Sequence, residues 1–595
     1  MTHAAPQGSP AAVPAAAEPR SIFARSRTLY REWMHRLVAP HGDQFFLVLA
    51  VLIGIFSGLA VVCFRVAIEW THLLLLGSSL TPSPLRVLLV PSLCGIGIAL
   101  LVIHAFPRAR GSGVNQTKTA VYISNGYVPF ETVIGKFITC ALAIGSGQSL
   151  GPEDPSLQMG AGIASVMGRR LRLSQEKLRL IAPVGAAAGL AAAFNAPVSA
   201  VLFVIEEVIG TWSAGALGAI VLAAVSSVVT MRWFLGSESL FRVPPSELSH
   251  PAELLAYAVL GVVGGVFALL FLKWIAAARP RLQRLPPRAQ YLMPAAAGLL
   301  VGAIGIWLPQ VMGAGYPIID QALHGEYVWR VLLILAVLKI LATGFSFLSG
   351  TPGGMFAPTL FIGAMLGGAV GGVEHHFFPG LTSTVGTFAL VGMGTFFAGF
   401  LRTPITSVFM VVEVSGNYSM IVPVMISTLI AYLISRQFQK VPLFDMLTRQ
   451  DGVILPSIEE RREHVSLVVE DAMRADAAII FDPDEPAAAA AQRAGAAPES
   501  PLLLRPRLGE WRLLDREALQ RLAAMDEPSA PRMVSEATSK GPLPLIFPDE
   551  PLDEVLRWAG DWPVLPVVSR ADLGRLEGVL SLADVLHAFR KAAAE

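Results

Sequence analysis

Long apolar runs recur along the first three quarters of this 595-residue chain, and they constrain its fold more than any other feature. Three of them lie at 45–64, 254–272 and 331–348, and each is long enough to cross about 30 Å of hydrocarbon. With 53% hydrophobic and 15% charged residues, the chain is too apolar for an ordinary soluble protein of this size. The sequence therefore predicts an all-α polytopic membrane domain.

Basic residues gather in short segments beside the apolar runs, whereas the net charge of the whole chain is only +1. Arg25, Arg31 and Arg36 precede the first run, and Arg436 and Lys440 follow the last one. Because cytoplasmic segments of membrane proteins carry an excess of basic residues, we expect both chain ends in the cytoplasm and the protein in the cell (inner) membrane. The small net charge gives no indication of nucleic-acid binding.

The hydrophobic character ends near residue 435, and a charged sequence with short strand and helix patterns follows. Segments 501–525 and 563–592 share one order, which is an apolar strand, a turn, a second strand and an amphipathic helix. This order predicts a C-terminal α/β part made of two similar repeats. The predicted divisions are a cytoplasmic tail (1–43), a transmembrane domain (44–445), a linker (446–465) and two repeats (466–527 and 528–595).

The apolar part also repeats itself. PSLQMGAGIA (155–164) resembles PTLFIGAMLG (358–367) at an offset of 203 residues, and APVSAVLFVIEE (196–207) resembles TPITSVFMVVEV (403–414) at an offset of 207 residues. Two matches at nearly one offset indicate an internal duplication. Glycine and proline interrupt both halves at corresponding places, which predicts broken helices that meet near the bilayer midplane, as in transporters. Converging helix N-termini would favour an anion there.

The stretch GPEDPSLQMG (151–160) places two adjacent acids in otherwise glycine-rich, apolar surroundings. Pro155 is suited to the start of a helix, so Glu153 would lie at the positive end of that helix. A carboxylate there satisfies the N–H groups that an anion would bind, so the ionised side chain plugs the site and the protonated one can leave. An acid at this depth costs about 2.5–3.5 kcal/mol, which favours a functional role over a surface cap.

Four segments resemble motifs of the CLC family of chloride channels and chloride/proton antiporters. The family pattern GSGIPE corresponds to GSGVNQ (111–116), GREGP to GPEDP (151–155) and GxFxP to GMFAP (354–358), and FNAPVSAVLFVIEE (194–207) is similar to the family helix that leads to an internal glutamate. The resemblance covers about residues 45–450. It implies two inverted repeats with broken helices and transport of chloride.

The resemblance also implies roles for individual residues. Ser112, Met355 and Phe356 would form the central anion site, through a hydroxyl and backbone N–H groups. Glu153 matches the external gating glutamate, and Glu207 matches the glutamate that passes protons in the antiporters, with a purely structural carboxylate as the other interpretation. A chain that keeps both glutamates favours antiport, while a passive channel on the same fold stays open.

The chain departs from the family pattern at several positions. Pro152 replaces the arginine before the gate and Asp154 replaces the glycine after it, so Asp154 is predicted either to modulate the gate, because like charges resist joint ionisation, or to cap a helix. Asn115 and Gln116 replace the proline and glutamate of the first motif. Phe444 stands where the family places a tyrosine against the anion, and a phenyl ring donates no hydrogen bond.

The two C-terminal repeats resemble the CBS domain pairs that follow the membrane part in many family members. The second repeat ends in GVLSLADVL (578–586), in which Ser581 and Asp584 match the residues that contact phosphate and ribose in nucleotide-binding pairs. The first repeat has Leu514 and Glu517 at those positions. Regulation by an adenine nucleotide and a structural or dimer-stabilising role both stay open.

Other functional classes find little support. The sequence has no His–Glu–x–x–His and no Cys/His spacing of a metal site, so we expect neither an enzyme nor a bound metal or cofactor. A divalent-cation transporter would need converging acids, whereas here the acids are few and stand at helix starts. Glu206 and Glu413 occupy equivalent repeat positions and are expected to be structural or to face water. The resemblance to the CLC family also implies a homodimer.

Overall fold

The computed structural model describes most of the chain as two compact units, one ending at Leu455 and the other beginning at Pro456. The predicted N-terminal tail lies outside the described residues as far as residue 41, and so does the predicted linker from residue 456 onward. The described residues are 42–77, 83–210, 214–238, 240–244, 248, 250–379, 383–453, 455, 467–475, 477–505, 510–525, 532–538 and 541–592.

The first unit is helical. Its helices are α1 (Gly42–Leu75), α2 (Pro84–Leu100), α3 (Val114–Ile123), α4 (Phe130–Gly145), α5 (Glu153–Arg170), α6 (Gln175–Phe194), α7 (Pro197–Phe203), α8 (Ala214–Leu235), α9 (Glu253–Gln283), α10 (Pro287–Trp307), α11 (Tyr316–Leu323), α12 (Trp329–Leu348), α13 (Phe356–Phe377), α14 (Val385–Leu401), α15 (Pro404–Ser415), α16 (Ile421–Phe438) and α17 (Leu443–Gln450). Turns of π-helix extend α2 (Leu101–Ala105) and α7 (Val204–Ile209).

Many of these helices place large apolar side chains on the outer surface. Trp233 is 85% exposed, Leu74 80% and Leu255 74%, which suits contact with lipid rather than water. Among the described residues, nine helical segments are long and apolar enough to cross a membrane. The predicted multi-pass membrane architecture is therefore confirmed.

The predicted duplication is visible in the helix packing. In the first half, a Cβ added to Gly160 of α5 would lie 2.1 Å from the carbonyl oxygen of Gly185 in α6. In the second half, a Cβ added to Gly363 of α13 would lie 2.4 Å from the carbonyl oxygen of Gly392 in α14. The two helix pairs thus pack backbone to backbone through glycines at equivalent repeat positions, as small residues allow in membranes.

The helices break at equivalent places in the two halves. Asn195, with φ 57°, ends α6 just before Pro197, and Arg402, with φ 65°, ends α14 just before Pro404. The left-handed conformation is costly for arginine, and the Arg402 guanidinium donates hydrogen bonds to the backbone oxygens of Ser435 and Lys440 (3.0 Å each) that hold it there. The short helices α7 and α15 are the predicted broken helices.

The second unit combines short strands and helices. Its elements are α18 (Val469–Ala472), β1 (Ile479–Phe481), α19 (Ala487–Ala496), β2 (Leu502–Leu504), β3 (Arg512–Leu513), α20 (Arg516–Ala524), α21 (Leu552–Ala559), β4 (Leu565–Val568), β5 (Leu576–Leu580) and α22 (Leu582–Ala592). Strand β2 pairs parallel with β1 and antiparallel with β3, and β4 pairs antiparallel with β5. The order strand, strand, helix therefore occurs twice, as the sequence predicts.

The two C-terminal halves exchange short segments. Val469 belongs to the core that contains Leu552 and Leu565 of the second half, and its N–H donates to the carbonyl oxygen of Glu550 (2.9 Å). Val534, conversely, completes the core of the first half. Each half is thus closed by a segment that lies in the sequence range predicted for the other.

Candidate functional site

The two glycine-rich loops that precede α5 and α13 pair with each other. The N–H of Gly151 donates to the carbonyl oxygen of Gly354, and the N–H of Gly354 donates to that of Gly151, both at 2.8 Å. This antiparallel bridge brings together the starts of two long helices, one from each half. The first N–H groups of a helix have no partner within it, so unpartnered donors collect at this point.

Glu153 is fully buried at the start of α5. Its Oε2 accepts a hydrogen bond from the N–H of Ala357 in α13 (3.3 Å), and its Oε1 accepts one from the hydroxyl of Tyr316. The carboxylate therefore covers a donor at the start of the equivalent helix in the other half. The sequence predicts an acid at the start of its own helix, whereas the contact with Ala357 depends on how the halves pack.

Asp154 is also fully buried, and it reaches the residue that caps α13. Its Oδ2 accepts a hydrogen bond from the N–H of Met355 (3.2 Å). Its Oδ1 is buried without a hydrogen-bond partner among the residues that the structure describes. Of the two interpretations from the sequence, Asp154 thus does contact helix N–H groups, but those of α13 rather than of its own helix.

Ser112 and Gly113, the residues before α3, lie against the same acid. Ser112 is 1% exposed, its hydroxyl accepts a hydrogen bond from the N–H of Val114 (3.3 Å), and it neighbours the carboxylate of Asp154. A Cβ added to Gly113 would lie 2.9 Å from the backbone oxygen of Asp154. Glycine at this position, where φ is 121°, allows the loop to approach α5.

Phe356 stands within a group of aromatic rings. Its ring centroid lies 4.8 Å from that of Phe203, 5.3 Å from that of Phe397 and 6.0 Å from that of Phe194. The ring of Phe444 approaches it edge-on at 6.4 Å. The structure therefore brings the predicted residue Phe444 beside Phe356, in an apolar wall that offers no side-chain donor from these rings.

Glu207 belongs to a buried charge cluster that the sequence analysis missed. Lys118 Nζ lies 2.7 Å from Glu207 Oε1 and 2.6 Å from Asp445 Oδ1. The side chain of Lys118 is 1% exposed, that of Glu207 6% and that of Asp445 13%. A single lysine in the otherwise uncharged helix α3 was the available signal, since a buried cation in a membrane needs an acidic partner.

Glu206 caps the start of α15 and Glu413 caps the start of α7. Glu206 accepts hydrogen bonds from the N–H and the hydroxyl of Thr406, at 3.0 and 2.7 Å. Glu413 accepts the equivalent bonds from Ser199, at 2.8 and 2.6 Å. Each acid thus satisfies the start of the short helix in the other half, which agrees with the structural role expected for the pair.

Two buried lysines occupy equivalent repeat positions and were also missed. Lys136 donates to the backbone oxygen of Gly111, and Lys339 donates to those of Gly313 (2.7 Å) and Val311 (2.9 Å). They are 203 residues apart, which is the offset of the two motif loops. Aligning the two halves residue by residue would have paired them. Each lysine ties its helix, α4 or α12, to a loop that comes earlier in the sequence.

In the C-terminal unit, the two residues predicted to contact a nucleotide, Ser581 and Asp584, are hydrogen-bonded to each other. The N–H and the hydroxyl of Ser581 donate to Asp584 Oδ2, at 2.8 and 2.6 Å, and Arg474 Nε lies 3.1 Å from the same carboxylate. Leu514 is buried in the core of the first half, and Glu517 stands in the first turn of α20. In the part of the chain that the structure describes, no group of three or more His, Cys, Asp or Glu side chains could hold a metal ion.

Comparisons with known proteins match the membrane unit. Residues 94–436 match the family model described as voltage gated chloride channel. A ClcB-like protein of Ralstonia nicotianae, named as a chloride channel, is 32% identical over 400 residues, which cover 65% of this chain and 92% of that protein. The H(+)/Cl(−) exchange transporter ClcA of Vibrio campbellii is 32% identical over 416 residues, which cover 67% of this chain and 88% of that protein.

Two solved structures share the fold. A slow cyanobacterial Cl−/H+ antiporter superposes with a TM-score of 0.63 and 24% identity, covering 68% of this chain and 97% of that one. A eukaryotic CLC transporter superposes with a TM-score of 0.59 and 20% identity, covering 91% of this chain and 97% of that one. The second match extends well beyond the membrane unit.

Proposed function

The chain belongs to the voltage-gated chloride channel (CLC) family, and we propose that it exchanges chloride for protons across a membrane. The observation that carries this proposal is the place of Glu153, whose buried carboxylate accepts a hydrogen bond from the N–H of Ala357 at the start of α13. A helix N-terminus carries partial positive charge and unpartnered donors, so chloride would bind the same groups. Carboxylate and chloride therefore compete for one place.

Protonation of Glu153 links the two ions in this proposal. The ionised side chain holds the N–H of Ala357 and excludes an anion by charge as well as by volume. The protonated side chain is neutral, so it loses most of its attraction to the helix start and can swing away with its proton while chloride enters. Tyr316, which donates to the carboxylate, would steady the ionised position.

We propose that the cluster of Lys118, Glu207 and Asp445 transfers the proton along the part of the pathway away from Glu153. One cation faces two acids there, so the cluster has a net charge of −1 when all three groups are ionised. Because a buried net charge is costly, the cluster can accept one proton and keep one ion pair intact. Glu207 is the member that the family resemblance assigns to proton transfer.

Ser112, Met355, Phe356 and Phe444 are proposed to surround the anion between these two acidic sites. Met355 caps α13 and Phe356 begins it, and both would contribute backbone N–H groups, while Ser112 would contribute its hydroxyl. Phe444 contributes shape without a donor, so we expect weaker anion binding than a tyrosine would give. Chloride is proposed as the anion because the exchange transporter that resembles this chain carries chloride in its name.

The experiment is a coupled-flux assay on full-length protein in liposomes. An imposed chloride gradient should drive protons uphill in the wild type, and Glu153→Gln and Glu207→Gln should each abolish the proton flux. Glu207→Gln should keep chloride flux, and Glu131→Gln, which changes an exposed glutamate at the start of α4, is the matched control that should keep both fluxes. Chloride flux without proton flux in the wild type would establish a passive channel on the same fold. Absence of chloride flux would refute the proposal.

We further propose that the protein is a homodimer in the inner membrane with both chain ends in the cytoplasm. A stripe of exposed apolar residues along α16 offers a surface for a second copy: Val422, Met425, Leu429 and Leu433 are 50–54% exposed at spacings of three and four residues. Arg436 in the last turn of α16 agrees with a cytoplasmic end. Mass photometry of the purified protein should give a particle of twice the chain mass, and a particle of one chain mass would contradict the dimer.

For the C-terminal unit we propose a CBS-like pair whose main role is structural. The repeated order of strands and helices and the likeness of a CLC transporter over 91% of the chain support this proposal. Asp584 is held by Ser581 and Arg474, so a ribose would have to displace existing contacts. Calorimetry with ATP should show no binding tighter than about 1 mM. Tighter binding that Asp584→Asn removes would favour nucleotide regulation instead.

A further inference from the structure

Asp154 does more than stand beside the gate. We propose that Asp154 is a second tethered anion, which fills the position at the N–H of Met355 next to the position that Glu153 fills at Ala357. Chloride can then bind at Met355 once Asp154 has left that position. The inference rests on the proposed function, because it takes chloride as the ion that passes the start of α13.

The first argument is the division of donors between the two acids. Glu153 takes the N–H of Ala357 and Asp154 takes that of Met355, and these donors are two residues apart at one helix start. Phe356, which lies between them, also directs its N–H toward Asp154. Two adjacent acids at the start of α5 therefore cover neighbouring donors where two anions could bind in succession.

The second argument is the unsatisfied oxygen. Asp154 Oδ1 is buried and has no hydrogen-bond partner among the described residues. The charged and titratable groups that interact with the acid pair are Lys136 and Cys140 from α4, Arg65 from α1 and Tyr316 from α11. Lys136 donates to the backbone oxygen of Gly111 rather than to Asp154, so it does not form a direct ion pair. A buried charged oxygen without a partner is costly, and taking up a proton from water would remove its charge.

The third argument is the space that the fold leaves for this side chain. A Cβ added to Gly354 would lie 2.8 Å from both the carboxyl carbon and Oδ1 of Asp154. A Cβ added to Gly113 would lie 2.9 Å from the backbone oxygen of Asp154. Because both neighbours are glycines, neither places a side chain where the carboxylate lies against the helix start.

One consequence is a second proton-linked step. When chloride binds at Met355, Asp154 must give up the N–H, and its carboxylate and the chloride repel each other unless it takes up a proton from water. An O–H bond forms on a carboxylate oxygen of Asp154 as an O–H bond of hydronium breaks, and water is left behind. Chloride binding should therefore be accompanied by proton uptake at Asp154 in addition to uptake at Glu153.

The test measures chloride binding and proton uptake by purified full-length protein. Calorimetry with sodium chloride gives the affinity, and a pH electrode in weak buffer gives the protons taken up per chloride bound. Asp154→Gly and the isosteric Asp154→Asn are compared with Glu153→Gln. Glu413→Gln is the matched control, since it removes a partly buried carboxylate from another helix start.

Asp154→Gly should bind chloride at least tenfold more tightly than the wild type, which corresponds to about 1.4 kcal/mol. Asp154→Asn should take up fewer protons per chloride bound than the wild type. In the double variant, this decrease in proton uptake should add to the decrease caused by Glu153→Gln. Unchanged affinity in Asp154→Gly together with unchanged proton uptake in Asp154→Asn would overturn the inference. Radioactive chloride flux in liposomes separates the two proposals. If the wild type carries chloride but the Asp154 variants bind it as the wild type does, only this inference is refuted. If the wild type carries no chloride, the proposed function is refuted.

Discussion

Replacing Lys118 with methionine probes the buried charge cluster most directly. Lys118 Nζ lies 2.7 Å from Glu207 and 2.6 Å from Asp445, and the lysine side chain is 1% exposed. Methionine keeps much of the apolar stem and removes the charge. Two carboxylates in a largely buried place would then face each other without their cation.

The expected cost follows from these contacts. Removing one partner of a buried ion pair destabilises a protein by about 3–5 kcal/mol, and here one cation serves two acids, so we expect the upper part of that range for Lys118→Met. Glu207→Gln leaves the pair between Lys118 and Asp445, and loses one hydrogen bond to a charged group, worth about 1.5–3 kcal/mol. The order of stability should be wild type, then Glu207→Gln, then Lys118→Met.

The order of stability is measured by heating the detergent-solubilised protein and monitoring the fraction that stays folded by size-exclusion chromatography. The triple variant Lys118→Met, Glu207→Gln, Asp445→Asn should recover most of the melting temperature, because it leaves no unpaired charge. Lys273→Met, which removes an exposed lysine from α9, is the control and should melt like the wild type. The reasoning fails if Lys118→Met melts with the wild type, or if the triple variant melts no higher than Lys118→Met.

Two further predictions concern the helix starts. Glu413→Ala removes the acceptor of the N–H and the hydroxyl of Ser199, so it should cost about 3 kcal/mol, and Glu413→Gln should recover part of the melting temperature; equal melting of both variants and the wild type would contradict the capping role. Gly354→Ala would place a Cβ 2.8 Å from the carboxyl group of Asp154, so it should slow chloride flux in liposomes at least tenfold. Gly97→Ala, which has no neighbour within 4 Å, is its control, and equal flux in the two variants would show that the carboxyl group is not held there.

Much of the architecture was predictable because it depends on local properties of the chain. The length of an apolar run decides whether a segment can cross a bilayer, and the runs at 45–64 and 331–348 became helices of that kind. The repeat offsets predicted matching helix pairs, and the glycine contacts of Gly160 and Gly363 occur at those offsets. The acid before Pro155 was predicted to lie at a helix start for the same local reason.

The sequence by itself determined the membrane class, the duplication, the family and the presence of an acid at a helix start. The tertiary structure alone decided which donors that acid covers, since Glu153 and Ala357 are 204 residues apart, and which position Asp154 fills at Met355. It also paired Lys118 with Glu207, 89 residues away. Helix formation and bilayer crossing depend on neighbouring residues, whereas contacts between distant segments depend on how the two halves pack, which no local pattern specifies.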